Sequence, residues 1–248
     1  MSPASTLLVT GGSRGIGAAI VRQAARAGHA VGFTYVERRD AAAALVAEVQ
    51  AAGGRAMCVQ ADVAEVDAAA RVFDAVQAAL GPVTALVNNA GVTGPLGRFE
   101  DAQLASLQRV LQVNVLGTML FSQQAVRRWR AASQAGSIVN VSSIAAATGA
   151  PGEYVHYAGS KAAVEAFTIG LGRELAETGI RVNAVSPGTA LTEIHAAAGQ
   201  ADRPQRVAAR IPMRRAGHPE EIAEAVLWLL SAKASYVTAS VLRVAGGL

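Results

Sequence analysis

Tyr157 and Lys161 stand four residues apart in a segment whose pattern predicts a helix over 157–178, so both side chains fall on one helix face. That spacing lets an ammonium sit beside a phenol. A free phenol ionises near pH 10, and acting as an acid or base near neutrality asks for a drop of about three units, roughly 4 kcal/mol. One cation about 4 Å away, at an effective dielectric of ~20, supplies that much. Taken alone, the pair also fits an ordinary aromatic–lysine contact on a surface helix. Upstream, Thr10-Gly11-Gly12-Ser13-Arg14-Gly15-Ile16-Gly17 joins the first predicted strand to the first predicted helix. A sharp turn whose backbone can approach a diphosphate, followed by the free N–H groups of a helix N-terminus, suits a dinucleotide; alone it also fits a tight strand–helix turn. No Gly-Lys-Ser/Thr follows, which excludes the phosphate loop of nucleotide hydrolases, and Gly11-x-x-x-Gly15-x-Gly17 is not the G-x-G-x-x-G spacing either. His29, His156, His195 and His218 are dispersed and Cys58 is the sole cysteine, so neither a metal-ligand cluster nor an intrachain disulfide is expected. Only His156, beside Tyr157, is a candidate for the substrate cleft; the other histidines read as surface or packing residues.

These residues need a frame, and the hydrophobic period provides one. Short apolar runs at 6–10, 30–36, 56–61, 83–87, 137–141, 181–185 and 240–244 read as strands buried on both faces. Helical patterns at 15–27, 40–52, 67–80, 104–131, 157–178 and 219–232 lie between them, with Gly, Pro, Asn and Asp at the junctions. Such alternation implies a single-domain α/β fold over 1–248: a doubly wound, mostly parallel seven-stranded sheet with helices on both faces. Right-handed crossovers then place ligands beyond the carboxyl ends of the strands, where the glycine loop falls.

Composition narrows the function classes. Of 248 residues, 52% are hydrophobic and 16% charged, which excludes an extended disordered chain. No apolar stretch approaches the roughly 20 residues that span a bilayer, and residues 1–10 lack the basic start and long apolar core of a signal peptide. The net charge is +4, from 22 basic and 18 acidic residues, and aromatics make up only 4%, so a nucleic-acid surface is not expected. The lone cysteine fits a reducing, cytoplasmic compartment.

The motifs, taken together and in order, resemble the short-chain dehydrogenase/reductase family. They are Thr10-Gly11-x-x-x-Gly15-x-Gly17, Asp62-Val63 after the third strand, Asn88-Asn89-Ala90-Gly91 after the fourth, Asn114 within a helix, Ser142-Ser143, Tyr157-x-x-x-Lys161 and Pro187-Gly188. The likeness runs from about Thr6 to Gly247, and is to members such as 3-oxoacyl-carrier-protein reductases and glucose dehydrogenases. It implies a Rossmann fold and an enzyme that acts on CH–OH groups with NAD(P) as acceptor. It implies a catalytic set of Asn114, Ser143, Tyr157 and Lys161. Ser143 would bond the substrate carbonyl oxygen, Tyr157 would be the general acid/base, Lys161 would lower the Tyr157 pKa and hold nicotinamide ribose hydroxyls, and Asn114 would relay protons through a backbone–water link. Ser142 competes with Ser143; Ser143 lies fourteen residues before Tyr157, one more than is usual in the family, so one residue is inserted near 151–156. The implied cofactor contacts are Gly11, Ser13, Arg14, Gly15, Ile16, Gly17, Tyr35, Arg38, Asp62, Val63, Asn89, Ala90, Gly91, Tyr157, Lys161, Pro187, Gly188 and Thr192. No metal enters.

An NAD site places an acid at the end of the second strand, about 20 residues on from the loop. Tyr35 aligns there, while Arg14, Arg38 and Arg39 suit a 2′-phosphate, so NADP(H) is expected. Glu37 keeps NAD(H) open should the strand register differ by two. Substrate walls are expected at 94–97, 144–154 and 189–213, the last a lid. Its Arg203, Arg206 and Arg210 could attract an anionic substrate, but a solvated helix face is the favoured reading, and Arg215 reads as structural. Where carrier-dependent relatives place docking arginines this chain has Gln134 and Thr178, with Arg130 and Arg173 nearby. Thr238-Ala239-Ser240 and Ala245-Gly246-Gly247 depart from the family's usual ending, so its homotetramer, or a homodimer, is an expectation only. The partner expected is a small carbonyl or alcohol substrate, with neither nucleic acid nor membrane. Alternatives are an NAD-dependent alcohol or sugar dehydrogenase and a non-catalytic dinucleotide sensor. Longer sugar-nucleotide relatives need more chain after Gly188 than is present here.

Overall fold

A computed structural model describes residues 5–193, 199–200 and 202–248. His195 lies outside the described residues, as do 194, 196–198 and 201 of the expected lid. The elements follow in the order β1 (Thr6–Val9), α1 (Gly15–Arg26), β2 (Ala30–Tyr35), α2 (Arg39–Ala51), β3 (Arg55–Gln60), α3 (Ala68–Leu80) and β4 (Val83–Asn88). Then come α4 (Leu104–Leu111), α5 (Thr118–Ala131), β5 (Gly136–Val141), α6 (Ala145–Thr148), α7 (Val155–Glu174) and β6 (Ile180–Pro187). The chain closes with α8 (Arg203–Ala208), α9 (Pro219–Leu230) and β7 (Val241–Val244). The seven strands form one sheet in the order β3-β2-β1-β4-β5-β6-β7. Every pairing is parallel, so "mostly parallel" becomes wholly parallel.

The apolar runs explain this arrangement. Leu7, Val9, Val31, Phe33, Val87 and Val139 pack with α1, α2 and α9 on one face. Leu8, Leu86, Ile138 and Val182 pack with α3, α5 and α7 on the other. β1, β3, β4, β5 and β6 supply residues to both cores, which is why their runs are apolar throughout, while the apolar side chains of β2 and β7 join the first core. No described helix is long and apolar enough to cross a membrane. The strand order reverses between β1 and β4, and the crevice beyond their carboxyl ends is where an open α/β sheet takes its ligand.

The expected helix over 104–131 is broken. A π turn at Gln112–Gly117 separates α4 from α5, and such turns often mark functional sites. Two contacts account for it. Asn114 turns its amide out to the backbone of Val92, and Gly117 lets the strand-end loop approach so closely that a Cβ there would lie 2.8 Å from Val63 Cγ2. The helix expected over 157–178 starts two residues earlier and ends at Glu174, followed by a 3-10 turn at Ala176–Thr178. The short α6 was not anticipated, because a four-residue helix carries too little periodicity to be read, whereas α8 falls where a helix face was expected around Arg203 and Arg206.

Candidate active site

One cleft of about 820 Å³ runs over the carboxyl ends of the strands. Gly11, Ser13, Arg14, Gly15, Ile16, Gly17, Tyr35, Arg38, Asp62, Val63, Asn89, Ala90, Gly91, Ser143, Tyr157, Lys161, Pro187, Gly188 and Thr192 all line it. Ser142 lines it too, whereas Asn114 is fully buried behind it. The size suits an extended organic ligand.

At the glycine end, backbone does the shaping. Gly11 and Gly15 have φ of +64° and +53°, in the left-handed region that glycine tolerates. A Cβ on Gly17 would fall 2.2 Å from the Gly11 carbonyl oxygen and 2.6 Å from Asn89 Nδ2. Asn89 itself donates through Nδ2 to the carbonyls of Thr10 and Gly11 at 3.0 and 2.9 Å. Thr10 Oγ1 accepts from the N–H groups of Asn89 and Ala90, tying the fourth strand end to the loop. Asn88 turns the other way, into the core, and bonds Ser122 and Asn140. No described side chain caps the start of α1, so its first N–H groups are free beside the cleft. Bare backbone, an uncapped helix start and a glycine cradle fit a diphosphate.

Tyr35 ends β2 and is nearly buried, while Glu37 and Arg38 stand beyond it at the cleft. Arg14 and Arg38 converge on one carboxylate: their Nη1 atoms lie 3.7 and 3.4 Å from Glu193 Oε2. Asp62 accepts from the Ala64 N–H at 3.0 Å and pairs with Arg109 at 2.7 Å. Burial works to raise its pKa, but these bonds outweigh it and hold the carboxyl below its usual range.

At the other end the tyrosine is set. Tyr157 is buried, and its phenol is pushed up to about 12 by burial, against a hydrogen bond with Ser143 that works downward. Lys161 is 4% exposed, and burial pushes its ammonium down to about 8. Its Nζ donates to the Val141 carbonyl at 2.7 Å and sits 5.7 Å from the Tyr157 ring centroid. Lys161 is not among the influences on the Tyr157 phenol in this structure, where burial dominates both groups, so the expected drop toward neutrality is not seen here.

Ser142 Oγ donates to Glu165 at 2.8 Å and to the Lys161 carbonyl at 3.2 Å, facing α7, whereas the Ser143 hydroxyl meets Tyr157. Asn114 Oδ1 accepts from Val92 N–H, and its Nδ2 donates to the Val92 carbonyl and to Ser160 Oγ. A Cβ on Gly91 would lie 3.4 Å from both Asn114 Oδ1 and Lys161 Nζ, so the three meet at one point.

Two further expectations change. His156 does not line the cleft; its Nε2 donates to the Thr93 carbonyl at 2.9 Å and braces the 93–94 turn. Arg203 is not on a solvated face: it is 8% exposed and paired with Glu153, although Arg206 is exposed. Arg215 pairs with Glu221, whose carboxylate also accepts from the His218 N–H at the start of α9, a structural arrangement. Sequence reasoning gave Arg109 no place in the site and put Glu153, Tyr154 and Glu193 only within the expected walls, without roles. The charged partners of Arg109, Glu153 and Glu193 are 47 or more residues away, and no local spacing signals that.

A family model described as enoyl-(acyl carrier protein) reductase matches residues 11–248. The chain is 45% identical to an uncharacterized oxidoreductase, YgfF, of Escherichia coli, over 97% of this chain and 98% of that one. It is 34% identical to glucose 1-dehydrogenase 2 of Bacillus subtilis, over 98% of this chain and 94% of that one. Among solved structures, a blue fluorescent protein from a metagenomic library, in complex with NADPH, superposes with a TM-score of 0.88. That protein is 35% identical, with 98% of this chain and 97% of that one covered. Sheet order, strand-end cleft and end-to-end similarity agree: the chain belongs to the short-chain dehydrogenase/reductase family and is an oxidoreductase acting on CH–OH groups with a nicotinamide cofactor.

Proposed function

We propose that this protein is an NADP(H)-dependent oxidoreductase that interconverts a small carbonyl compound and a secondary alcohol, with Tyr157 as the general acid/base. The observation that carries the reading is the meeting of Ser143, Tyr157 and Lys161 in the same cleft as the glycine loop. The glycine loop and the start of α1 would hold the diphosphate, and Lys161 the ribose next to the nicotinamide. Asp62 and Val63 would lie along the adenine, while Asn89, Ala90, Gly91, Pro187, Gly188 and Thr192 would line the path between. When bound, the nicotinamide supplies or accepts the hydride.

The protein's own part is proton handling and orientation. Ser143 donates a hydrogen bond to the carbonyl oxygen and polarises it. Tyr157 gives that oxygen its proton as the C–H bond forms. A phenol near 12 is fully protonated at neutral pH and still far more acidic than the alcohol it helps to make, which suits the reductive direction. Lys161, with a pKa near 8, then returns a proton to Tyr157, and Asn114 and Ser160 hold the polar path behind it. Arg14 and Arg38 flank the second strand end, which supports a 2′-phosphate over a free 2′-hydroxyl. NADPH in the structural neighbour supports the same choice.

On this reading 1–248 is one domain and 189–213 its lid: Thr192 and Glu193 lie beside the glycine loop, and Arg203, Val207 and Arg210 line the cleft. Leu104, Leu111, Leu116 and Met119 are exposed along α4, the π turn and α5, an apolar face that a homodimer or homotetramer would cover. The test follows NADPH and NADH consumption over diketones, 3-oxo esters, aldoses, steroids and quinones. Turnover preferring NADPH and lost in Tyr157→Phe supports the reading; cofactor binding with turnover untouched by that substitution overturns it.

A further inference from the structure

The substrate end of the cleft holds a buried arginine that the proton chemistry above does not use. Arg203 opens α8 and reaches Glu153 with two nitrogens: Nη2 lies 2.5 Å from Oε2, and Nε 3.4 Å from Oε1. Its guanidinium carbon sits 5.4 Å from the centre of the Tyr154 ring. Tyr154 in turn meets Tyr157 edge to face, with centroids 5.2 Å apart and an interplanar angle of 87°. The Glu153 carbonyl accepts from the Gly97 N–H at 2.8 Å, so a second substrate wall is tied to the same point.

Taking a guanidinium out of water is unfavourable unless it is paired and stacked, and here both conditions are met at one place. A side chain that merely fastened α8 could pair with any surface carboxylate along the segment. This one instead completes an unbroken series of contacts from α8 through Tyr154 to the Tyr157 ring, and its charge works against the effect of burial on that phenol. A phenol held on one side only by Ser143 could tilt; an edge-on neighbour clamped by a guanidinium removes that freedom.

Resting on the reading of Tyr157 as proton donor, we infer that Arg203 is a positioning residue of the reaction: it clamps Tyr154 against Tyr157 and makes the placement of α8 a condition for efficient proton transfer. The test compares wild type, Arg203→Met, Arg203→Lys, Glu153→Gln, Tyr154→Phe and Arg203→Met/Tyr154→Phe. Each is assayed for kcat and KM in carbonyl reduction and for amide hydrogen exchange. A misplaced reacting group reduces rate by up to about 100-fold, so Arg203→Met should lower kcat roughly 10- to 100-fold. Arg203→Lys should recover only part of the loss, because an ammonium cannot reproduce the planar fork. Glu153→Gln should act in the same direction, more weakly. The double variant should be no worse than the slower single one, since both act through one series of contacts. Exchange at residues 154–158 should quicken in Arg203→Met while β1 and α1 keep wild-type protection.

An Arg203→Met protein with wild-type kcat and only a raised KM would overturn the inference, leaving Arg203 as a wall of the substrate site. Additive losses with Tyr154→Phe, or unchanged exchange at 154–158, would overturn it as well. Failure of the underlying reading looks different: Tyr157→Phe would turn over like wild type, while the exchange comparison still judges the Arg203 link.

Discussion

The two ends of the cleft are built on opposite principles. At the glycine end, recognition rests on backbone and on half-exposed charges. Arg14 and Arg38 expose 50% and 59% of their side chains and share a single carboxylate, so each contact is weakened by water. At the tyrosine end, the working groups are desolvated: Tyr157, Lys161 and Arg203 are each less than a tenth exposed, and their partners are themselves held in the cleft wall. Low local dielectric magnifies each interaction there and also the penalty for losing it. On the proposed reading, one end tolerates substitution and would set which cofactor is preferred; the other would set whether chemistry happens.

The largest expected effect breaks the tyrosine end alone. Tyr157→Phe keeps the ring and its edge contact with Tyr154 but removes the proton. Turnover should fall by about 10²- to 10⁴-fold, the span of general acid catalysis. Affinity for 2′,5′-ADP, a ligand of the glycine end, should stay within about twofold by titration calorimetry, since no hydroxyl at 157 faces that end. A parallel loss of 2′,5′-ADP binding would mean that the two ends are not separable.

The same contrast explains what the amino-acid sequence disclosed. The glycine end was legible almost residue by residue because its parts are local: a strand, a loop and a helix in one stretch, with Arg38 just past the next strand. The seven strands were legible because burial on both faces leaves unbroken apolar runs. The π turn at Asn114 was not, because its cause is a contact with Val92 and Val63 across the molecule. Arg203 was misread as solvated because its partner lies 50 residues earlier, and no helical period reports a neighbour at that separation. The lowered Tyr157 pKa was argued from a distance that spacing cannot supply; four residues put two side chains on one face without saying where the ammonium points.

At the glycine end the effects are smaller. Replacing both Arg14 and Arg38 by Ala should weaken 2′,5′-ADP by about 30- to 150-fold, at roughly 1–1.5 kcal/mol for each charge-assisted contact in a half-exposed setting. Binding of 5′-AMP, which lacks the 2′-phosphate, should change less than about twofold. Equal losses for both ligands would assign these arginines to general electrostatics and return Glu37 and NAD(H) to consideration.

Next in size is the pH dependence. The Lys161 pKa is lowered, so its cation is present below about pH 8 and lost above it. Reductive kcat/KM should therefore be level from pH 6 to near 8, then decline about tenfold per unit as the proton source of Tyr157 disappears. Tyr157, near 12, stays protonated throughout and contributes no fall of its own in that range. Lys161→Met should be slow at every pH and should lack the break near 8. A break that survives that substitution would place the titrating group elsewhere.

The smallest effect separates two adjacent hydroxyls. Ser142 Oγ is 3% exposed and occupied by Glu165 and the Lys161 carbonyl, on the α7 side of the strand end. Ser142→Ala removes a buried donor and leaves the Glu165 carboxylate, which reaches solvent elsewhere, one bond short. Its expected outcome is about 1 kcal/mol less stability by urea denaturation, with kcat within about threefold of wild type. Ser143→Ala should reverse the pattern: stability nearly intact, because among the described residues its hydroxyl takes a single backbone bond, from the Ala145 N–H at 3.2 Å, and turnover strongly reduced. If Ser142→Ala proved the slower enzyme, the serine nearer the strand would be the one that polarises the carbonyl, and the desolvated end of the cleft would begin one residue earlier.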